Sequence, residues 1–142
     1  MREVKRAALV SKPPAEMFAL INDIESYPKF LPWCTHARVL SSSPHEIVAT
    51  LGVRQGALRG EFTTRNTLEP DRGILMRLVS GPFRELQGEW RLTPVDSHGC
   101  RVELAMRFAF RNPLTALLFE SRFAQTVGTL VDAFVARARS RP

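Results

Sequence analysis

Between residues 46 and 110, apolar and polar side chains alternate with the two-residue period of β-strands. One parity carries Ile47, Ala49, Leu51 and Val53, then Leu58, Phe62, Thr64, Asn66 and Leu68. It continues through Ile74, Met76 and Leu78, through Leu86, Trp90 and Leu92, and through Val102, Leu104, Met106, Phe108 and Phe110. Gly60, Ser80 and Gly88 are its small members, and no position of this parity is ionisable. The opposite parity carries Arg54, Arg59, Glu61, Arg65, Arg77, Glu85, Glu89, Arg91, Arg101, Glu103 and Arg107. A sheet with one dry and one charged face must cover the dry face.

The boundaries follow from turn residues. Residues 3–10 read as a first strand, stopped by Ser11-Lys12-Pro13-Pro14. A short helix is expected over 14–24, with Met17, Leu20, Ile21 and Ile24 on one face. The prolines of the next segment, 27–34, restrict it to a short turn or second helix with exposed aromatics. Six strands are expected at 34–40, 46–54, 57–69, 73–80, 83–94 and 99–110, joined by turns short enough for an antiparallel meander. Asn112-Pro113 opens one long helix over 113–138, striped by Phe119, Phe123, Val127, Leu130 and Phe134. This helix is the only large cover for the dry face. The expected architecture is α+β, a curved antiparallel sheet wrapped around a long C-terminal helix. The gaps at Gly60, Ser80, Gly88 and Gly128 permit either close packing or an apolar pocket.

At 142 residues the chain suits one domain spanning 1–142, and its 44% hydrophobic and 24% charged residues are ordinary globular values. No stretch approaches the ~20 apolar residues that a membrane-spanning helix needs. The N-terminus has no apolar signal core, so a cytoplasmic location is expected. Cys34 and Cys100 read as reduced thiols, and His36, His45 and His98 lack metal-ligand spacing. In a strand Cys34 and His36 share a face, but a pair without an orienting third group is weak evidence for a nucleophile. The net charge of +6, carried mostly by arginine, mildly favours anionic partners.

The segment Asn22-Asp23-Ile24-Glu25-Ser26-Tyr27-Pro28-Lys29-Phe30-Leu31-Pro32-Trp33-Cys34 closely resembles the START-like coenzyme Q-binding family, which spans ribosome association toxins and mitochondrial coenzyme Q chaperones. The resemblance continues in Phe62-Thr63-Thr64-Arg65-Asn66, in Leu78-Val79-Ser80-Gly81-Pro82-Phe83-Arg84 and in Leu86-Gln87-Gly88-Glu89-Trp90. It implies a helix-grip fold with an apolar tunnel, a hydrophobic ligand with ubiquinone (a polyprenyl quinone) first, and no required cofactor.

Candidate ligand-binding residues fall into three groups. Tyr27, Phe30, Leu31 and Trp33 form either a gate or a hydrophobic plug. Phe62, Met76, Leu78, Leu86, Trp90, Leu104, Met106 and Phe108 face the helix, where Phe119, Phe123, Val127 and Leu130 meet them. Inward Asn66 either hydrogen-bonds a ligand carbonyl or satisfies backbone at a bulge. Three functions are weighed. The first is non-enzymatic ubiquinone binding in support of respiratory electron transport, with transient contact at the inner face of the membrane. The second, implied by the resemblance, is a toxin that binds the large ribosomal subunit and blocks subunit association, its outward arginines on RNA phosphates. The third is a polyketide cyclase-like enzyme, disfavoured because five strands place no ionisable group on the dry face. DNA is not an expected partner.

Overall fold

A computed structural model describes residues 1–141. Seven strands form one antiparallel sheet: β1 (Arg2–Val10), β2 (Cys34–Ser43), β3 (Glu46–Gln55), β4 (Leu58–Glu69), β5 (Gly73–Ser80), β6 (Phe83–Pro94) and β7 (Cys100–Phe110). Their spatial order is β1-β7-β6-β5-β4-β3-β2, a meander with β1 added beside β7. Helix α1 (Pro14–Asn22) and a 3₁₀ helix (Ile24–Lys29) carry the chain from the β1 edge to the β2 edge. Helices α2 (Pro113–Gly128) and α3 (Leu130–Arg139) cover the inner face. This is the expected α+β helix-grip arrangement.

The inner parity is buried or half-buried along β3 to β7, apart from Gly60 and Ser80. Phe83 lies on the charged parity yet is 2% exposed, because the register slips between Phe83 and Glu85. Its ring stacks on Phe110 with centroids 4.9 Å apart and meets Phe123 of α2 at 5.2 Å. Phe108 completes this cluster, 4.8 Å from Phe123. A second aromatic cluster forms around Phe134 of α3, which Tyr27, Phe30 and Trp90 each meet edge-on at 5.3 Å. Edge-to-face contacts of this kind each contribute about 0.5–1.5 kcal/mol beyond area burial.

Three expectations are corrected. The C-terminal segment is two helices, divided at Thr129. That residue keeps helical φ/ψ of −90° and −9°, but its N–H donates to the Thr126 carbonyl at 3.0 Å and its hydroxyl to the same carbonyl at 2.7 Å. Such a tightened turn with side-chain competition bends a helix. The aromatics of 27–34 are not exposed: Tyr27, Phe30 and Trp33 are half-buried and Leu31 fully so, because the 3₁₀ helix folds them back onto α3. Finally, Cys34 and His36 do not share a face. The β2 register slips between Cys34 and Ala37, leaving the thiol in the core and the imidazole exposed, bonded to Glu61 at 2.5 Å. Smaller shifts affect α1, which ends at Asn22, and β2, which runs on to Ser43.

Burial pushes the Cys34 thiol up to about 11. It also raises the Tyr27 phenol, helped by nearby Cys34 and Asp23, and the Tyr27 hydroxyl donates to the Ile21 carbonyl. Both groups are held neutral more firmly in the folded chain than in the unfolded one. Their stabilisation is therefore complete below the unfolded thiol value of about 8.5 and is lost as pH rises.

This packing sets the response to pH and to one substitution. The urea midpoint should stay level up to about pH 8.5 and fall progressively toward pH 11, and Cys34→Ala should lower the midpoint yet flatten the decline. Gly128→Ala should raise stability by up to about 1 kcal/mol, read as a Tm increase of roughly 3 °C. The added β-carbon would sit 3.0 Å from the end of the exposed, flexible Arg6 side chain, which can give way. A lowered Tm would show that Arg6 is held in place.

Candidate functional site

Between the two aromatic clusters, sheet and helices enclose a cavity of about 70 Å³. It has room for several waters, but is well below the ~300–1,000 Å³ of pockets for drug-sized ligands. Strands β3 and β4 supply Ala49, Leu51, Phe62, Thr64 and Asn66, and Met76, Leu86, Trp90 and Met106 come from β5, β6 and β7. The helices supply Phe123, Thr126, Val127, Leu130 and Phe134, and the segment after α1 adds Ile24, Tyr27 and Trp33.

Gly88 shapes the floor. The register sets it between Met76 and Met106 on the neighbouring strands. A β-carbon at Gly88 would crowd the Met76 methyl and lie 3.2 Å from that of Met106. Without it, the two methionine tips converge over the backbone. Thioether chains repack readily, so this floor is deformable.

The polar groups of the wall are few. Thr64 donates to Asn66 Oδ1 at 2.8 Å, which commits the amide oxygen of Asn66 to a side chain rather than to backbone. Gln55 continues the inner parity of β3, one residue past the expected strand end, and its Nε2 donates to the Thr126 hydroxyl. Gln55 Oε1 and Trp33 Nε1 are buried with no hydrogen-bond partner among the described residues. No carboxylate, imidazole or amine lines the cavity. Its sole titratable side chain is the Tyr27 phenol, already donated to Ile21 and shifted toward its neutral form. Among the described residues no group of three His, Cys, Asp or Glu is placed to hold a metal, and no helix is long and apolar enough to cross a membrane.

Of the candidates named from sequence, the structure brings Tyr27, Trp33, Phe62, Asn66, Met76, Leu86, Trp90, Met106, Phe123, Val127 and Leu130 together around the cavity. Six lie elsewhere. Phe30 packs on Phe134 beneath the Arg137 guanidinium, 5.1 Å from its ring centre. Leu31, Leu104 and Phe108 are sealed in the core, and Leu78 and Phe119 pack half-buried at its margin. The aromatic segment is therefore split, with Tyr27 and Trp33 as wall and Phe30 and Leu31 as plug. Sequence reasoning passed over Ile24, Ala49, Leu51, Thr64, Thr126 and Phe134 as site residues. Ala49, Leu51 and Thr64 share the inner parity and Phe134 the helical stripe, so periodicity could have found them. Thr126 has the spacing of the stripe, three after Phe123 and four before Leu130, but its polar side chain hides it from a hydrophobic pattern.

The family model for polyketide cyclase / dehydrase and lipid transport matches residues 10–135. The ribosome association toxin RatA of Escherichia coli (strain K12) is 41% identical over 139 residues, covering 98% of this chain and 88% of that protein. The mitochondrial coenzyme Q-binding protein COQ10 of Dictyostelium discoideum is 22% identical over 126 residues, covering 86% of this chain and 62% of that one. In three dimensions, the Zhui aromatase/cyclase of Streptomyces sp. R1128 superposes with a TM-score of 0.87 at 21% identity, over 99% of this chain and 94% of that one. That last likeness bears on the fold alone. The order of the strands, the apolar cavity under the C-terminal helices and a family match over nearly the whole length agree: the chain belongs to the polyketide cyclase / dehydrase and lipid transport family, of START-like fold.

Proposed function

We propose that this chain is a non-enzymatic ribosome-association factor of the cytoplasm, binding the large subunit and hindering subunit joining. Its likeness to proteins named for ribosome association is much stronger than its likeness to the protein named for coenzyme Q binding. The observation that carries the reading is a row of arginines across the outer face of the sheet. The register sets Arg65 opposite Arg77, Arg77 opposite Gln87, and Gln87 opposite Arg107. Arg54 opposite Arg59 is a second like-charge pair, near the β3–β4 turn. Like charges directly opposite destabilise a strand pair, so Arg65 facing Arg77 and Arg54 facing Arg59 are not placed there to stabilise the sheet. Glu46 lies 3.4 Å from Arg65 and Glu3 lies 3.7 Å from Arg107, but these exposed pairs are worth little and leave the guanidinium groups accessible. Planar guanidinium forks suit phosphate oxygens.

A second reading has its own observation, the apolar cavity. A hydrophobic molecule, with ubiquinone as the candidate, would find room in the cavity by displacing the Met76 and Met106 tips. The Asn66 amide, its oxygen already bonded to Thr64, would offer its N–H to a ligand carbonyl. A cyclase-type reaction finds no support, because the cavity wall lacks a group for acid–base chemistry beyond the neutral Tyr27.

Replacing Arg65, Arg77 and Arg107 together with Ser should abolish co-sedimentation with large ribosomal subunits while leaving the thermal melt in place. Wild-type binding should weaken steeply with salt, and each arginine taken away from a phosphate should make the log–log slope shallower by about one. Unchanged co-sedimentation of the triple variant would remove the arginine row from the proposal. For the cavity, Gly88→Ala should drive the methionine tips into the free space and weaken short-chain ubiquinone binding about tenfold, read by quenching of Trp33 and Trp90 fluorescence. Equal affinity in the variant would reject the cavity as the ligand site.

A further inference from the structure

From Pro113 to Arg122 helix α2 buries no side chain fully, unlike its second half, where Phe123, Ala124 and Val127 anchor it. Three leucines stand on this loosely held stretch with i, i+3, i+4 spacing. Leu114, Leu117 and Leu118 are 62%, 81% and 60% exposed. Leucines at that spacing share one helix face. Arg111 lies three residues before Leu114 and Arg122 four after Leu118, both exposed, so each end of the apolar stripe carries positive charge. Arg111 is braced, its guanidinium donating to the Gly81 and Phe83 carbonyls at 3.2 and 3.4 Å.

Beside this face runs a groove between α2, the β3–β4 hairpin and the β5–β6 turn. Thr115, Leu58, Gly60 and Pro82 line its outer part, with Arg59 and Glu61, one charge of each sign, at its edge. Its inner wall is Phe62 and Phe123, which also line the apolar cavity. Nothing lies within 4 Å of where a Gly60 β-carbon would be, so this end of the inner face stays open.

We propose that the first half of α2 docks on the surface of a bilayer containing anionic lipid. The leucines enter the boundary between headgroups and acyl chains, and Arg111 and Arg122 lie against the phosphates. The groove then faces the bilayer, and Phe62 and Phe123 are the partition through which an apolar molecule passes to the cavity. That last role rests on the hydrophobic-ligand reading, whereas the docking stands on the leucines and arginines alone. The same face is a poor match for RNA, since leucine offers nothing to a phosphate. It is also a poor match for a second copy of itself, because antiparallel pairing of two such stripes sets arginines against arginines.

The test is flotation of the full chain with phosphatidylcholine vesicles and with phosphatidylcholine/phosphatidylglycerol vesicles. The wild type should float with the anionic vesicles, less with the neutral ones. Leu117→Glu should reduce the vesicle-bound fraction about tenfold with no change in Tm, since residue 117 packs against little. The pair Leu117→Ser with Leu118→Ser should do the same without adding charge. Failure of the wild type to float, or flotation of both variants like the wild type, would overturn the proposal. So would a wild-type dimer in sedimentation velocity that Leu117→Glu dissociates, or loss of ribosome co-sedimentation by Leu117→Glu with flotation intact. Quenching of tryptophan fluorescence by short-chain ubiquinone, measured without vesicles, should be equal in wild type and Leu117→Glu. Flotation without any such quenching would uphold the docking and remove the ligand from it.

Discussion

Most of the inner face of the sheet is apolar and has to be kept from water, and α2 and α3 are what cover it. Two phenylalanines hold them there. Phe123 wedges among Phe83, Phe108 and Phe110 at one end of the concave face, and Phe134 among Tyr27, Phe30 and Trp90 at the other. They are eleven residues apart, about three helical turns and roughly 16 Å of rise, so they fall on nearly the same side of the helical run. Between these anchors the opposing side chains are small or flexible. Val127 and Thr126 face Gly88 and the tips of Met76 and Met106, and the cavity is what remains. Its existence thus follows from the small and flexible side chains between the anchors, and its small volume from the large rings that bound it.

The sheet separates two chemistries. Inside, the wall is apolar apart from a handful of hydroxyl and amide groups, and no charged side chain reaches it. Outside, arginine and glutamate share the face: Arg65 and Arg107 sit in exposed ion pairs, whereas Arg54, Arg59 and Arg77 are in none among the described residues. Because successive residues of a strand point to opposite faces, the two sets do not overlap. The proposed contact with an anionic macromolecule and the proposed occupation of the cavity would therefore draw on different residues, and substitutions can address them one at a time. The loosely packed start of α2 is a third region, continuous with the cavity only through Phe62 and Phe123.

Much of this was legible without coordinates. Alternation alone placed the inner face correctly along β3 to β7, and the turn residues placed the strand ends to within a few positions. That works because a period of two ties each side chain to one face, and one face is buried throughout. The approach failed where backbone geometry departs from the period. Phe83 belongs to the charged parity and became core through a register slip at the start of β6. Cys34 and His36, two apart, were separated by another slip in β2. The helical stripe likewise identified Phe123, Val127, Leu130 and Phe134, but the division at Thr129 depends on which carbonyl its N–H and hydroxyl find.

The sequence by itself determined the fold class, the dry and charged faces and most of the residues that surround the cavity, since local period and composition suffice for those. The tertiary structure decided which of the inward residues border free space and which are packed solid. Leu104, Met106 and Phe108 lie on one strand and one face, yet only Met106 borders the cavity, because Gly88 lies opposite it whereas Phe108 meets Phe123. Phe30 and Leu31 were diverted into a plug and Tyr27 and Trp33 into the wall by the 3₁₀ turn that folds their segment onto α3. Free volume is a difference between neighbours brought together from distant parts of the chain, and no local pattern records it.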